Sequence, residues 1–433
     1  MGIDIKTIAC NAACASCYEN TIRACGGGPE MDFDAVIKQL EAQIEEGKKY
    51  KKPDGTYNLS LPSLHGGEPL LLGKAKVERI FKLIFAERGQ NNIQTNGLLI
   101  DDEWIELFLQ YNCAIGISLD GDTALLNAGR FADQVKIDRI MASIRKMKMA
   151  GLSVSVISVL RRHNAAENRI GLFIDFQRRL AEECFIFYTR TNPGIAFTPE
   201  TIATEQLTDT EMGMALCTIA DTCLLDKRFL WQPVRDVIKM LAGFKGRETC
   251  NFAGCDVWHT NSETPILANG SLGNCMKGGG APDGIANLRA DKRNGARSEA
   301  LAQIEIEQGG CLGCKWWQFC HGGCPGEAVN NDYRNKTRFC QSYQMLFAYI
   351  KKRLEGMMPS IQIGTAAPLQ NLAPDGTTWE KQYIKSPVAE EAAIVSKPGT
   401  PGHGDGHGDS HGDRAHGDSN DPAWRKANPQ WGR

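Results

Sequence analysis

Three cysteines near the start of the chain have the spacing of a metal-cluster loop. Cys10, Cys14 and Cys17 stand in the pattern C-x3-C-x2-C directly behind a first strand-like run. Three thiolates on one loop can each hold one iron of a cubane, which leaves the fourth iron open to chelate a small molecule. The alternative is structural zinc, which wants four ligands. The nearest further thiol, Cys25, sits beyond Tyr18 in a glycine-rich stretch, so the spacing favours iron.

A denser set lies downstream. Cys255 is followed by fourteen residues, Gly270, four more residues and Cys275. After a gap comes Cys311-x2-Cys314-x5-Cys320-x3-Cys324, and after another comes Cys340. Cys250 supplies an eighth thiol, and eight thiolates suffice for two fully ligated cubanes. Zinc sites built from C-x2-C pairs compete with this reading, but the set holds one such pair, Cys311 with Cys314. Of the remaining cysteines, Cys113 and Cys184 begin strand-like runs and read as small buried hydrophobes. Cys217 and Cys223 fall on a helical stretch and read as core, and Cys25 has no assigned role.

The elements that must position the first cluster alternate. Strand-like runs occupy 3–9, 57–64, 91–96, 114–119, 152–160 and 184–189. Helical periods occupy 32–47, 73–88, 101–111, 131–149 and 165–182, with another near 209–225. Such β–α repetition predicts a parallel sheet covered by helices. Six units make an α/β fold, a partial (β/α)6 TIM-like barrel, with active groups at the C-terminal ends of its strands. Four expected divisions follow: a barrel over 1–225, a metal-stapled domain over 226–345, an extension over 346–400 and a His/Gly/Asp-rich tail over 401–433.

Composition narrows the class. The 433 residues carry a formal charge of -2, so neither nucleic acid nor an anionic membrane is an expected partner. No apolar run is long enough to span a bilayer, and the N-terminus has no secretory pattern. Sixteen cysteines without such a signal predict a reducing, cytoplasmic setting. The tail places His403, His407, His411 and His416 among glycines and aspartates. Imidazoles can bind metal, but this composition reads as a solvated segment.

At the first cluster, C-N-A-A-C-A-S-C-Y-E resembles the signature of the radical S-adenosylmethionine superfamily. The resemblance implies a 4Fe-4S cluster whose open iron binds the methionine amino and carboxylate groups, with Tyr18 near the adenine. His65-Gly66-Gly67-Glu68-Pro69 is similar to the family's G-G-E-P element, in which small residues let carbonyls approach the methionine ammonium and Glu68 faces a cation. Gln94-Thr95-Asn96-Gly97 is similar to its T-N-G element near the adenosine. Ser118, within Ser-Leu-Asp-Gly, and Arg130, twelve residues later, match a pair that holds the methionine carboxylate. Arginine suits that planar group. The downstream set resembles a C-terminal SPASM domain. By that resemblance one auxiliary cluster takes Cys250, Cys255, Cys275 and Cys324, and the other takes Cys311, Cys314, Cys320 and Cys340, so the expected cofactors are three 4Fe-4S clusters and S-adenosylmethionine. Cys250 is the least supported ligand, and without it one auxiliary iron would be open.

Relatives with SPASM domains mostly modify peptides or proteins. The resemblance therefore implies oxidative thioether or carbon–carbon cross-linking of a ribosomal peptide, with formylglycine formation in a sulfatase or peptide-derived cofactor synthesis as alternatives. Sulfatase-maturing relatives carry a substrate base directly after the thiol matching Cys275, where this chain has Met276, and that ranks cross-linking first. Asp256, His259, Glu263 and Glu327 are the candidate bases. The chain starts nine residues before Cys10, so either a separate leader-binding protein or direct recognition by the barrel is expected, together with a flavodoxin or ferredoxin as reductant. From another class, a multi-cluster electron carrier would need no methionine-binding elements.

Overall fold

A computed structural model describes residues 3–15, 17, 30–53, 55, 62–195, 199–244, 250–252, 254, 264–273, 297–331 and 335–357. Seven parallel strands form one sheet: β1 (Ile3–Thr7), β2 (Ser63–Gly66), β3 (Asn91–Thr95), β4 (Cys113–Ser118), β5 (Ser153–Leu160), β6 (Thr189–Pro193) and β7 (Thr264–Ile266). Their order is β6-β5-β4-β3-β2-β1-β7. The first six strands lie side by side in chain order, as right-handed β–α–β units build them. The two edges, β6 and β7, do not pair with each other, so the barrel stays open. This bears out the expected α/β partial barrel and adds an edge strand, β7, which pairs with β1 from Ile3↔Thr264 to Ile5↔Ile266.

Covering helices follow the strands: α1 (Phe33–Lys48), α2 (Lys74–Arg88), α3 (Asp102–Gln110), α4 (Gln134–Met149), α5 (Ile170–Cys184), α6 (Asp209–Leu225) and α7 (Val234–Leu241). Their starts are set by side-chain caps that satisfy first-turn amides. Asp32, Asp101 and Asp133 accept from Ala35, Trp104 and Lys136, and Thr208 forms a capping box with Glu211. Between sheet and helices the core is continuous, with Ile5, Leu64, Ile93, Ile115 and Val156 from the strands buried against Val36, Phe81, Phe108, Ile140 and Phe173 from the helices.

One expected strand is corrected. The run 184–189 is not a strand: α5 continues through Cys184, and β6 starts at Thr189. Phe185 closes α5 in the left-handed conformation at φ 54°. Alternating apolar residues there mark a helix end and its return to the sheet. Cys184 is nevertheless buried, as are Cys113 at the start of β4 and Cys223 on α6, while Cys217 is half-buried. A last helix, α8 (Cys340–Met357), packs along α6 and runs across the boundary expected at residue 345. No helix among the described residues is long and apolar enough to cross a membrane.

Candidate functional site

The C-terminal ends of β1 to β5 meet around the cysteine loop. Cys10, Cys14 and Cys17 are all half-buried there. The loop is held against β2 by backbone bonds: Gly67 N donates to Thr7 O and Glu68 N to Ala9 O, each at 2.7 Å. The glycines are required by this approach. A Cβ on Gly66 would lie 2.2 Å from Thr7 O, and one on Gly67 would lie 2.2 Å from Ala9 O. Gly66 also has φ +121°, a conformation glycine tolerates. The smallness read from the sequence as room for a ligand is thus first of all room for the cluster loop.

Glu68 is tied into the ends of β2 and β3. Its carboxylate is buried and accepts from Leu70 N at 3.0 Å, Thr95 Oγ1 at 2.7 Å and Asn96 N at 2.7 Å. Burial pushes its carboxyl up, opposed by those three donors. It braces the ends of β2 and β3 against each other. Asn96, so fixed, donates to Asn11 Oδ1 at 2.7 Å and lies 3.9 Å from Cys10 Sγ. Gln94 Nε2 donates to Ser118 Oγ at 2.8 Å, linking β3 to β4. Arg130 Nε lies 2.9 Å from Asp120 Oδ1, a buried ion pair. Burial disfavours the Arg130 charge, but Asp120 and the nearby Cys14 and Cys17 outweigh it and hold the guanidinium above its ordinary range.

Several contributors carried no sequence signal of their own. Asp120 is fully buried and also accepts from Val159 N at 2.8 Å, joining β4 to β5. Asn11 anchors Asn96. His65 is pushed down to about 3 by burial, reinforced by the charges of Lys6 and Arg190, so the imidazole is neutral. Arg161, directly after β5, reaches Gly129 O at 2.8 Å. Charged or amide residues at strand ends were the available clue. Tyr18, Cys255, Cys275, Met276, Asp256, His259 and Glu263 lie outside the described residues, as does the histidine-bearing tail.

A second grouping sits away from the strand ends. Cys311, Cys314, Cys320 and Cys340 line one cavity with Trp316, Trp317, Lys336 and Tyr343. Burial pushes the Cys311 thiol up to about 12, helped by Cys314 and Cys340. Burial raises Cys314 and Cys320 too, and Cys340 adds to both. Cys311, Cys314 and Cys320 are thus held as neutral thiols, which a cationic centre bound among them would deprotonate. Yet no three Cys, His, Asp or Glu among the described residues are grouped to hold a single metal ion. Thiols spread around a cavity fit a cubane better than a zinc ion. Gln344 Nε2 donates to Cys340 Sγ at 3.3 Å.

Cys250 and Cys324 are tied to the same region. Asn251 donates to Glu327 Oε1 at 3.0 Å and Tyr343 Oη donates to Glu327 Oε2 at 2.9 Å. His321 Nδ1 lies 2.9 Å from Phe252 O. Glu327 is thereby fully buried and serves as the hub of a structural network, which sets it apart from a base that must reach substrate.

The donor set of the first loop fits an iron–sulfur group as well. Three thiols on one turn are faced by an amide and a guanidinium, groups that compensate thiolate charge.

Comparisons with known proteins agree with this geometry. Residues 5–170 match the Radical SAM superfamily. A serine-type anaerobic sulfatase-maturating enzyme of Klebsiella aerogenes is 34% identical over 125 residues, which cover 27% of this chain and 28% of that protein. A cysteine-type anaerobic sulfatase-maturating enzyme of Clostridium perfringens strain 13 is 20% identical over 393 residues, 82% of this chain and 96% of that protein. The chain thus spans under a third of the Klebsiella relative. Among solved structures, anSMEcpe with bound AdoMet and a bound peptide superposes at TM-score 0.63 and 18% identity, over 83% of this chain and 99% of that one. Streptococcus suis SuiB bound to precursor peptide SuiA gives 0.52 and 16%, over 79% and 75%. At these identities the likeness to the two structures is one of fold. Residues 5–170 of the chain, which carry the three-cysteine loop and the strand ends around it, form a Radical SAM superfamily domain.

Proposed function

We propose that the protein is a radical S-adenosylmethionine enzyme that modifies a peptide or protein substrate oxidatively. The single observation that carries this reading is the convergence of Cys10, Cys14 and Cys17 with the ends of β2, β3 and β4. Gly66 and Gly67 bring β2 against the cysteine loop, Asn96 reaches Cys10, and Arg130 faces Cys14 and Cys17. An electron carrier needs none of these surroundings.

Cys10, Cys14 and Cys17 would hold a 4Fe-4S cluster, which when bound would supply the electron for reductive cleavage of S-adenosylmethionine and so the oxidising power for hydrogen-atom abstraction from substrate. The chain's own groups position the reactants. Arg130 and Ser118 would hold the methionine carboxylate, and Asn96 with Gln94 would flank the nucleoside. Tyr18 is the proposed neighbour of the adenine. The buried Asp120 keeps Arg130 charged and aimed.

Two further clusters are proposed, on Cys311, Cys314, Cys320 and Cys340, and on Cys250, Cys255, Cys275 and Cys324. They would accept the electron that an oxidative product releases, while a flavodoxin or ferredoxin would serve as the reductant of the first cluster. Met276 in place of a base favours cross-linking of a ribosomal peptide, assisted by a separate leader-binding protein. Formylglycine formation is the second reading, favoured by the sulfatase-maturating relatives. Mass spectrometry of co-expressed candidates separates them. A loss of two hydrogens with a new intrapeptide bond supports cross-linking, and an aldehyde on a sulfatase peptide supports maturation. Replacing Cys10, Cys14 and Cys17 by Ala should abolish 5′-deoxyadenosine formation while the auxiliary iron remains, and turnover by that variant would refute the assignment.

A further inference from the structure

Behind the cysteine loop stands a second buried guanidinium that belongs to none of the four motifs. Arg161 is 2% exposed. Its Nη1 donates to Gly129 O at 2.8 Å, and that same oxygen accepts from Ala15 N, between Cys14 and Cys17, at 2.9 Å. One carbonyl therefore clamps the cysteine loop to Arg161. Its Nε is buried without a hydrogen-bond partner.

The charges facing Arg161 come from every neighbouring element: Asp120 after β4, Arg130, Cys14, and Glu205 at the end of the helix Pro199–Glu205. Asp120 is engaged with Arg130, and Glu205 lies 3.2 Å from His163 Nδ1. Among the described residues no carboxylate lies within ion-pair distance of Arg161. A cation is thus buried against a thiol loop with no carboxylate in direct contact with it. Burial of such a charge is costly unless an anion compensates it. A cluster ligated by three thiolates is that anion, and it gains a further negative charge on reduction.

We propose that Arg161 is a positioning residue for the metal group of Cys10, Cys14 and Cys17. Through Gly129 it fixes the cysteine loop, and its charge raises the reduction potential of the cluster held there. Charge and hydrogen bonding around a cluster set its potential. The inference rests on the iron–sulfur reading above.

The test uses the full-length, anaerobically reconstituted protein and three variants. Arg161→Gln removes the charge and Arg161→Lys keeps it. Gly129→Ala leaves the arginine in place but puts a Cβ 2.3 Å from its Nη1, which displaces the guanidinium. The other atoms it would meet, His163 Cε1 at 2.5 Å and Glu205 Oε2 at 3.0 Å, are also side-chain ends that can move.

Potentiometric titration should follow the paramagnetic signal that changes on adding S-adenosylmethionine, alongside iron content and thermal melting. The expected result is a more negative potential for Arg161→Gln at unchanged iron content, a smaller shift of the same sign for Gly129→Ala, and a near-native value for Arg161→Lys. If Arg161→Gln loses its iron, retention of iron by Arg161→Lys supports the proposal and equal loss overturns it. Unchanged potentials in folded, iron-loaded Arg161→Gln and Gly129→Ala also overturn it. A wild-type protein that takes up no iron, or whose signal ignores S-adenosylmethionine, instead sinks the iron–sulfur reading itself.

Discussion

Glu68 braces the site through the backbone of two strand ends. Its oxygens accept from Leu70, Thr95 and Asn96, so it fixes the backbone from which Asn96 reaches Cys10. A buried acceptor that loses its charge leaves its donors poorly satisfied, which costs about 1–3 kcal/mol. Glu68→Gln should lose stability of that order in urea unfolding. His65 gives a second expectation at this scale. Its folded value of about 3 lies below the ordinary 6.5. The unfolded chain therefore gains a proton as pH falls through 6.5, while the folded protein does not until about 3. Stability is lost on falling through that window and is unaffected above it. His65→Gln should lose less stability than the wild type between pH 8 and pH 5, as urea midpoints would register.

Among elements, the exits of β1 and β2 tolerate little change. Gly67→Ala would drive a Cβ against the carbonyls of Ala9 and Ile8, at 2.2 and 2.5 Å, and backbone cannot yield as a side chain can. The expected outcome is loss of the first cluster's iron, about four atoms per chain, with the auxiliary iron retained; iron assay against protein concentration measures it. The strands that carry these motifs were legible because each is an apolar run closed by glycine, asparagine or serine in register. β7 was not legible, since three residues, Thr264–Ile266, carry too little periodicity and only pairing with β1 makes them a strand. Residues 184–189 were misread because the end of an amphipathic helix and a short return loop together imitate alternation. The roles of Glu68 and Asp120 were also illegible, because they depend on partners from other strands. Arg161 lay hidden for the same reason: nothing within β5 announces that Gly129 and the cysteine loop will meet it.

At the scale of the whole molecule, the chain closes on itself through its C-terminal part. β7 extends the sheet, α8 packs along α6, and Cys340 at the start of α8 joins the cavity lined by Cys311, Cys314 and Cys320. No cysteine lies beyond Cys340. Truncation after residue 395, which removes the histidine-rich tail, should leave iron content unchanged, as colorimetric iron assay would show. The central claim is tested most directly by anaerobic reconstitution followed by S-adenosylmethionine and dithionite, with 5′-deoxyadenosine measured by chromatography. The account predicts 5′-deoxyadenosine and methionine from a protein holding about twelve irons per chain, as three cubanes require. Full iron loading with no cleavage of S-adenosylmethionine would contradict it.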